Sequence, residues 1–113
     1  MPCYLFERCS KDRLPLIEQC AMELSLVEVE CFDPNMRQWA TRNHLSHNIQ
    51  QFFIFSYNPT KENYPFMVQV DENRNHEHPE VKSLLGKMLA ITGSDRLYQT
   101  YIFPVQVEGI DFT

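Results

Sequence analysis

The stretch YPFMVQVDENRNHEHPEVKSLLGKMLAI, residues 64–91, decides how this chain is expected to fold. Tyr64 to Asp71 reads as a strand with apolar side chains on both faces. A polar loop follows. Val81, Leu84, Leu85, Met88 and Leu89 then recur at helical spacing, and Thr92-Gly93 supplies the stop. His78-Pro79-Glu80 has the chemistry of a helix start: proline at the first position, where its missing N–H costs nothing, and an acid beside the positive end of the dipole. His76 and His78 would form a metal-binding pair only if the loop were extended there and a third ligand stood nearby. None lies at a metal-site spacing, so they read as solvated loop residues, with no metal and no cofactor.

The same plan is echoed at the start of the chain. Residues 1–26, MPCYLFERCSKDRLPLIEQCAMELSL, also carry proline at the second place of the segment. An alternating strand over Pro2 to Arg8 leads into a polar loop. Ser10 or Asp12 can cap a helix with Pro15 in its first turn, and Leu14, Ile17, Ala21 and Leu24 give the apolar stripe. After the first helix, Val27, Val29 and Cys31 alternate with Glu28 and Glu30, giving either a short strand or a continued helix; after the second comes a strand over Leu97 to Phe103, with Pro104 at its end. The expected fold is therefore α+β: two β-α-β units forming a four-stranded mixed sheet. Right-handed crossovers place both helices on one face.

Between the halves, Gln51 to Tyr57 (QFFIFSY) is the strongest strand signal, with aromatic and β-branched residues on both faces, and it should lie centrally. Asn58 to Asn63 is turn chemistry. Asp33 to Asn48 is polar, anchored only by Met36, Trp39 and Leu45, and reads as an excursion with at most one short helix. The tail VQVEGIDFT can add a short strand. A sheet with helices on one face leaves the other bare, and an apolar bare face should be buried by another copy of the chain.

The 113 residues suit a single domain of ordinary globular composition, 43% apolar and 22% charged. A net charge of −5 argues against nucleic acid as a partner. No apolar run approaches the ~20 residues of a membrane helix. Cys3, Cys9, Cys20 and Cys31 form no C-x-x-C pair, and the start has no signal-peptide pattern, so reduced thiols in a cytoplasmic protein are expected.

The order of these features resembles the tautomerase superfamily, the group of macrophage migration inhibitory factor and oxalocrotonate tautomerase. Pro2 directly follows Met1. The doubled β-α-β plan matches the family fold. SDRLYQTYIF, Ser94 to Phe103, is similar to the strand after the second helix in the migration-factor branch, and YPFMVQV with its following loop and helix is similar to small bacterial members. The resemblance covers one domain, 1–113, and leaves about 27–48 as extra residues.

It implies a proline-dependent tautomerase or isomerase acting on a small carboxylated keto–enol compound. Pro2, freed by removal of Met1, would be the catalytic base or acid; an apolar pocket lowers the pKa of such an amine towards neutrality. Tyr98 matches the pocket tyrosine of the migration-factor branch, and Thr100 stands where that branch has asparagine. Arg13, Arg74 or Arg42 would hold the carboxylate through paired hydrogen bonds. The family also implies a homo-oligomer, a trimer. The alternatives are a non-catalytic binding protein, either an inhibitor or immunity-type partner of a basic protein, or a ferredoxin-like module for a small ligand. On those readings Tyr98 packs in a core and the arginines are solvated loop charges.

Overall fold

A computed structural model describes residues 2–41, 53–71, 76–100 and 105–107. Their secondary structure runs β1 (Cys3–Glu7), α1 (Leu14–Glu23), β2 (Leu26–Val29), β3 (Arg37–Thr41), β4 (Phe53–Tyr57), β5 (Phe66–Val70), α2 (Pro79–Thr92), β6 (Arg96–Thr100) and β7 (Val105–Gln106). A single 3-10 turn, Lys11–Arg13, precedes α1.

The four-stranded mixed sheet is not what forms. Seven strands make one sheet in the order β2-β3-β4-β5-β1-β6-β7, and every neighbouring pair is antiparallel. The reason lies in the connections. The strands flanking each helix run in the same direction but do not pair with each other. β5 and β6, on either side of α2 in the chain, are separated in the sheet by β1. β1 and β2, on either side of α1, are separated by β3, β4 and β5. The meander β2-β3-β4-β5 fills that gap. Arg37–Thr41, expected within a polar excursion, is a full member of it: Trp39 stands opposite Phe55 and Ala40 opposite Ile54.

Alternation divides the sheet cleanly. Tyr4 and Phe6 of β1, Phe66, Val68 and Val70 of β5, and Phe55 of β4 join one cluster with Ile17, Cys20 and Ala21 of α1 and Val81, Leu85 and Met88 of α2. Phe66 meets both Phe6 and Phe55 edge-on, with ring centroids at 5.3 and 5.6 Å, the geometry aromatic quadrupoles favour. The helices touch where Cys20 Sγ lies 3.7 Å from Met88 Sδ and Lys87 pairs with Glu23 at 2.9 Å.

The caps follow from local chemistry. His78 is the N-cap of α2, its Nδ1 accepting the Glu80 backbone N–H at 3.3 Å. His76 is half-buried rather than solvated. Its Nδ1 lies 3.3 Å from the Tyr4 hydroxyl and its ring stands at 87° to the tyrosine. The two histidines thus serve different partners, and among the described residues no three metal-ligating side chains gather. Gly93 closes α2 in the left-handed conformation, φ 69°. α1 closes differently: Ser25 takes φ 60° and its N–H reaches the Met22 carbonyl at 3.0 Å.

Candidate functional site

The face away from the helices carries the second set of alternating residues. One row across it reads Val29, Gln38, Ser56, Met67, Leu5, Tyr98 and Gln106, each opposite the next. The adjacent row reads Val27, Ala40, Ile54, Gln69, Cys3 and Thr100. The face is therefore mixed in character, not the bare apolar surface that QFFIFSY and YPFMVQV suggest. Those segments point their largest side chains, Phe53, Phe55, Phe66 and Val68, towards the helices. Leu5, Ala40, Ile54 and Ser56 on the open face are already buried within one chain.

A cavity of about 350 Å³ opens on this face, near the end where β4 turns into β5. Its floor is Leu5, Ser56 and Met67 from three neighbouring strands, with Thr100 beside them. Its walls are loop residues: Met36 from the β2–β3 connection, and Asn58, Lys61, Tyr64 and Pro65 from the β4–β5 connection.

Those two loops are held by short polar residues. Asn58 is buried and organises the 58–65 turn. Its N–H reaches the Pro65 carbonyl at 2.7 Å, its Oδ1 accepts the Thr60 N–H at 3.1 Å, and its carbonyl accepts the Lys61 N–H at 3.1 Å. Asp33 organises the other loop, accepting the Asn35 N–H at 2.9 Å and, through its carbonyl, the Met36 N–H at 3.1 Å. Asn58 Nδ2 donates to Asp33 Oδ2 at 3.3 Å and ties the loops together. Local side-chain bonds of this kind fix turns that the ladder cannot. The mouth is thus built on a rigid frame, and Lys61 is presented from it.

The rim near Tyr64 is aromatic and acidic. Tyr64 stands edge-on to Tyr98 at 5.5 Å, and the Tyr98 hydroxyl donates to Glu7 Oε2 at 3.0 Å. Desolvation raises the Tyr64 phenol above its ordinary value, and the nearby Tyr98 and Glu7 add to this.

Among the described residues, Pro2, Tyr98 and Arg13 do not converge. Pro2 is fully buried and its carbonyl accepts the Val70 N–H at 3.1 Å, extending the β1–β5 ladder. By alternation it belongs to the helix-facing side with Tyr4 and Phe6, whereas Tyr98, paired with Leu5, belongs to the open face. Arg13 is exposed beyond the far end of β1, next to Gly93, so a five-residue strand of roughly 16 Å lies between it and Pro2. Thr100 and Tyr98 share the open face, and Thr100 alone of the two lines the cavity. Arg74 and Arg42 lie outside the described residues.

Lys61, Asn58 and Met36 carry the cavity without having stood out in the sequence. The only signal was the Asn58–Asn63 turn chemistry, which gives the bend but not what the bend faces. All four thiols are free. Burial pushes the Cys9 thiol up to about 12 and also raises Cys3 and Cys20.

Among the described residues, fold and site together define a two-layer arrangement: an antiparallel sheet backed by two helices, with a loop-walled cavity on the face opposite them. No known protein family, curated protein or solved structure matches this chain.

Proposed function

We propose that this protein binds a small, largely apolar molecule in the cavity on the face of its sheet opposite α1 and α2. The observation that carries the reading is the lining itself. Leu5, Met67, Met36, Tyr64 and Pro65 offer apolar surface, and Ser56 and Thr100 add hydroxyls that can orient a ligand. Binding sites combine these two ingredients, at volumes of roughly 300–1,000 Å³. The cavity's size places its ligand at the small end of that range.

Binding is preferred over proline-dependent tautomerase chemistry because Pro2 is buried in the core and faces away from the cavity. Base catalysis needs that nitrogen within hydrogen-bond reach of a substrate. No helix among the described residues is long and apolar enough to cross a membrane. The four free thiols support placing the protein in a reducing compartment such as the cytoplasm. Self-association as a trimer is a separate proposal, read by light scattering.

The test uses a neutral aromatic probe, naphthylacetamide, in isothermal titration. The wild-type protein should bind it, and Met67→Trp, which fills the cavity from its floor, should bind it at least about tenfold more weakly while keeping a cooperative melt. Equal binding by the filled variant, or none by the wild type, overturns the reading.

A further inference from the structure

We infer that the ligand of this cavity is an amphipathic anion: an apolar body held on the sheet and a carboxylate or similar head drawn to Lys61. The inference rests on the binding reading above and adds the charge of the ligand to it. Three observations support it.

First, Lys61 is a wall of two cavities at once. It borders the apolar one on the sheet and a second one, about 360 Å³, on the other side of the 58–65 turn, and Pro65 is shared between them in the same way. A ligand lying on Met67 and Leu5 is therefore bordered by Lys61.

Second, that ammonium is available. The other cations near charged partners are engaged: Arg8 with Glu7 at 3.8 Å and Asp95 at 3.5 Å, Arg37 with Glu18 and Glu28, Lys87 with Glu23. Among the described residues Lys61 forms no ion pair, and its backbone is fixed by Asn58. A positioned, unpaired cation costs less to order on binding than a free one.

Third, the second cavity concentrates positive charge in a chain whose net charge is −5. Lys11 and Lys61 border it against Glu62, while Arg8, which also borders it, is paired with Glu7 and Asp95. The local field at the Lys61 end thus favours an anion, although the molecule as a whole repels one. Apolar side chains with one cation at the rim discriminate by charge, because a neutral head lacks the full charge–charge attraction that a carboxylate gains there.

The test compares naphthylacetate with its neutral isostere naphthylacetamide, by titration against the full chain at low salt. The wild type should prefer the carboxylate by about tenfold, and the preference should shrink as salt is raised. Lys61→Gln should erase the preference, and Lys11→Gln should reduce it less. Equal affinity for the two probes in the wild type, or a preference that survives Lys61→Gln, overturns the anion inference and leaves the cavity reading standing. Binding of neither probe overturns both.

Discussion

At the scale of single residues, two helix ends make the same demand on the backbone and meet it with different residues. Gly93 and Ser25 both occupy the left-handed region, at φ 69° and 60°. A side chain pays a steric penalty there that glycine does not, about 1–2 kcal/mol for most residues. Around Gly93 the space is open: an added Cβ would lie 3.8 Å from Ser10 Cβ and 3.9 Å from Arg13 Nε. Gly93→Ala is therefore expected to lose about 1 kcal/mol through backbone strain alone, and Gly93→Asn less. Ser25→Gly is expected to gain up to about 1 kcal/mol. Urea denaturation of the three variants reads both signs; an unchanged midpoint for Gly93→Ala would contradict the strain account. The glycine stop could be read in the sequence because glycine after a helical stripe has one usual meaning. Ser25 could not, since serine carries no comparable signal. Nor could Lys61, because the cavity it borders is assembled in part from Leu5, Met36 and Thr100, which are remote from it in the chain.

Between elements, one cation joins three of them. Arg37 of β3 meets Glu28 of β2 at 2.8 and 3.1 Å and Glu18 of α1 at 2.6 Å, with its guanidinium 4.9 Å from the Trp39 ring centroid. The Arg37 hydrogen bonds hold Glu28 below its ordinary pKa of 4.5. A carboxylate with a depressed folded pKa gives stability that is whole above its unfolded value and disappears as pH falls through the folded one. Glu28→Gln is thus expected to cost up to about 1 kcal/mol at neutral pH, since the pair is half exposed to solvent. The deficit relative to wild type should close as pH drops below about 4.5. Thermal melts of both proteins from pH 7 to pH 3 check this, and a deficit that is constant with pH would mean that the charge is irrelevant. α2, β4 and β5 were legible because their apolar periodicity is local. β3 was not: RQWAT has too few apolar residues to announce a strand, and its extended form comes from pairing with β2 and β4. The four-stranded plan failed for a related reason. Period two identifies a strand but not its neighbour, and the residues that decide neighbours here lie far apart in the chain.

For the molecule as a whole, the strand order sets how it can assemble. β1 sits between β5 and β6, with Leu5 opposite both Met67 and Tyr98. Sheets dominated by such distant pairings fold in roughly milliseconds to seconds, because loop closure must precede the contacts that reward it. Stopped-flow refolding of the full chain is expected in that range, and a microsecond phase carrying the whole amplitude would refute it. On a ribosome the consequence is sharper. The segment CYLFE is synthesised some sixty residues before its first partner, β5, and about ninety before its second, β6. Until then it is an unprotected, sticky strand, and a cell making this protein must shield it or make it slowly enough that copies do not meet.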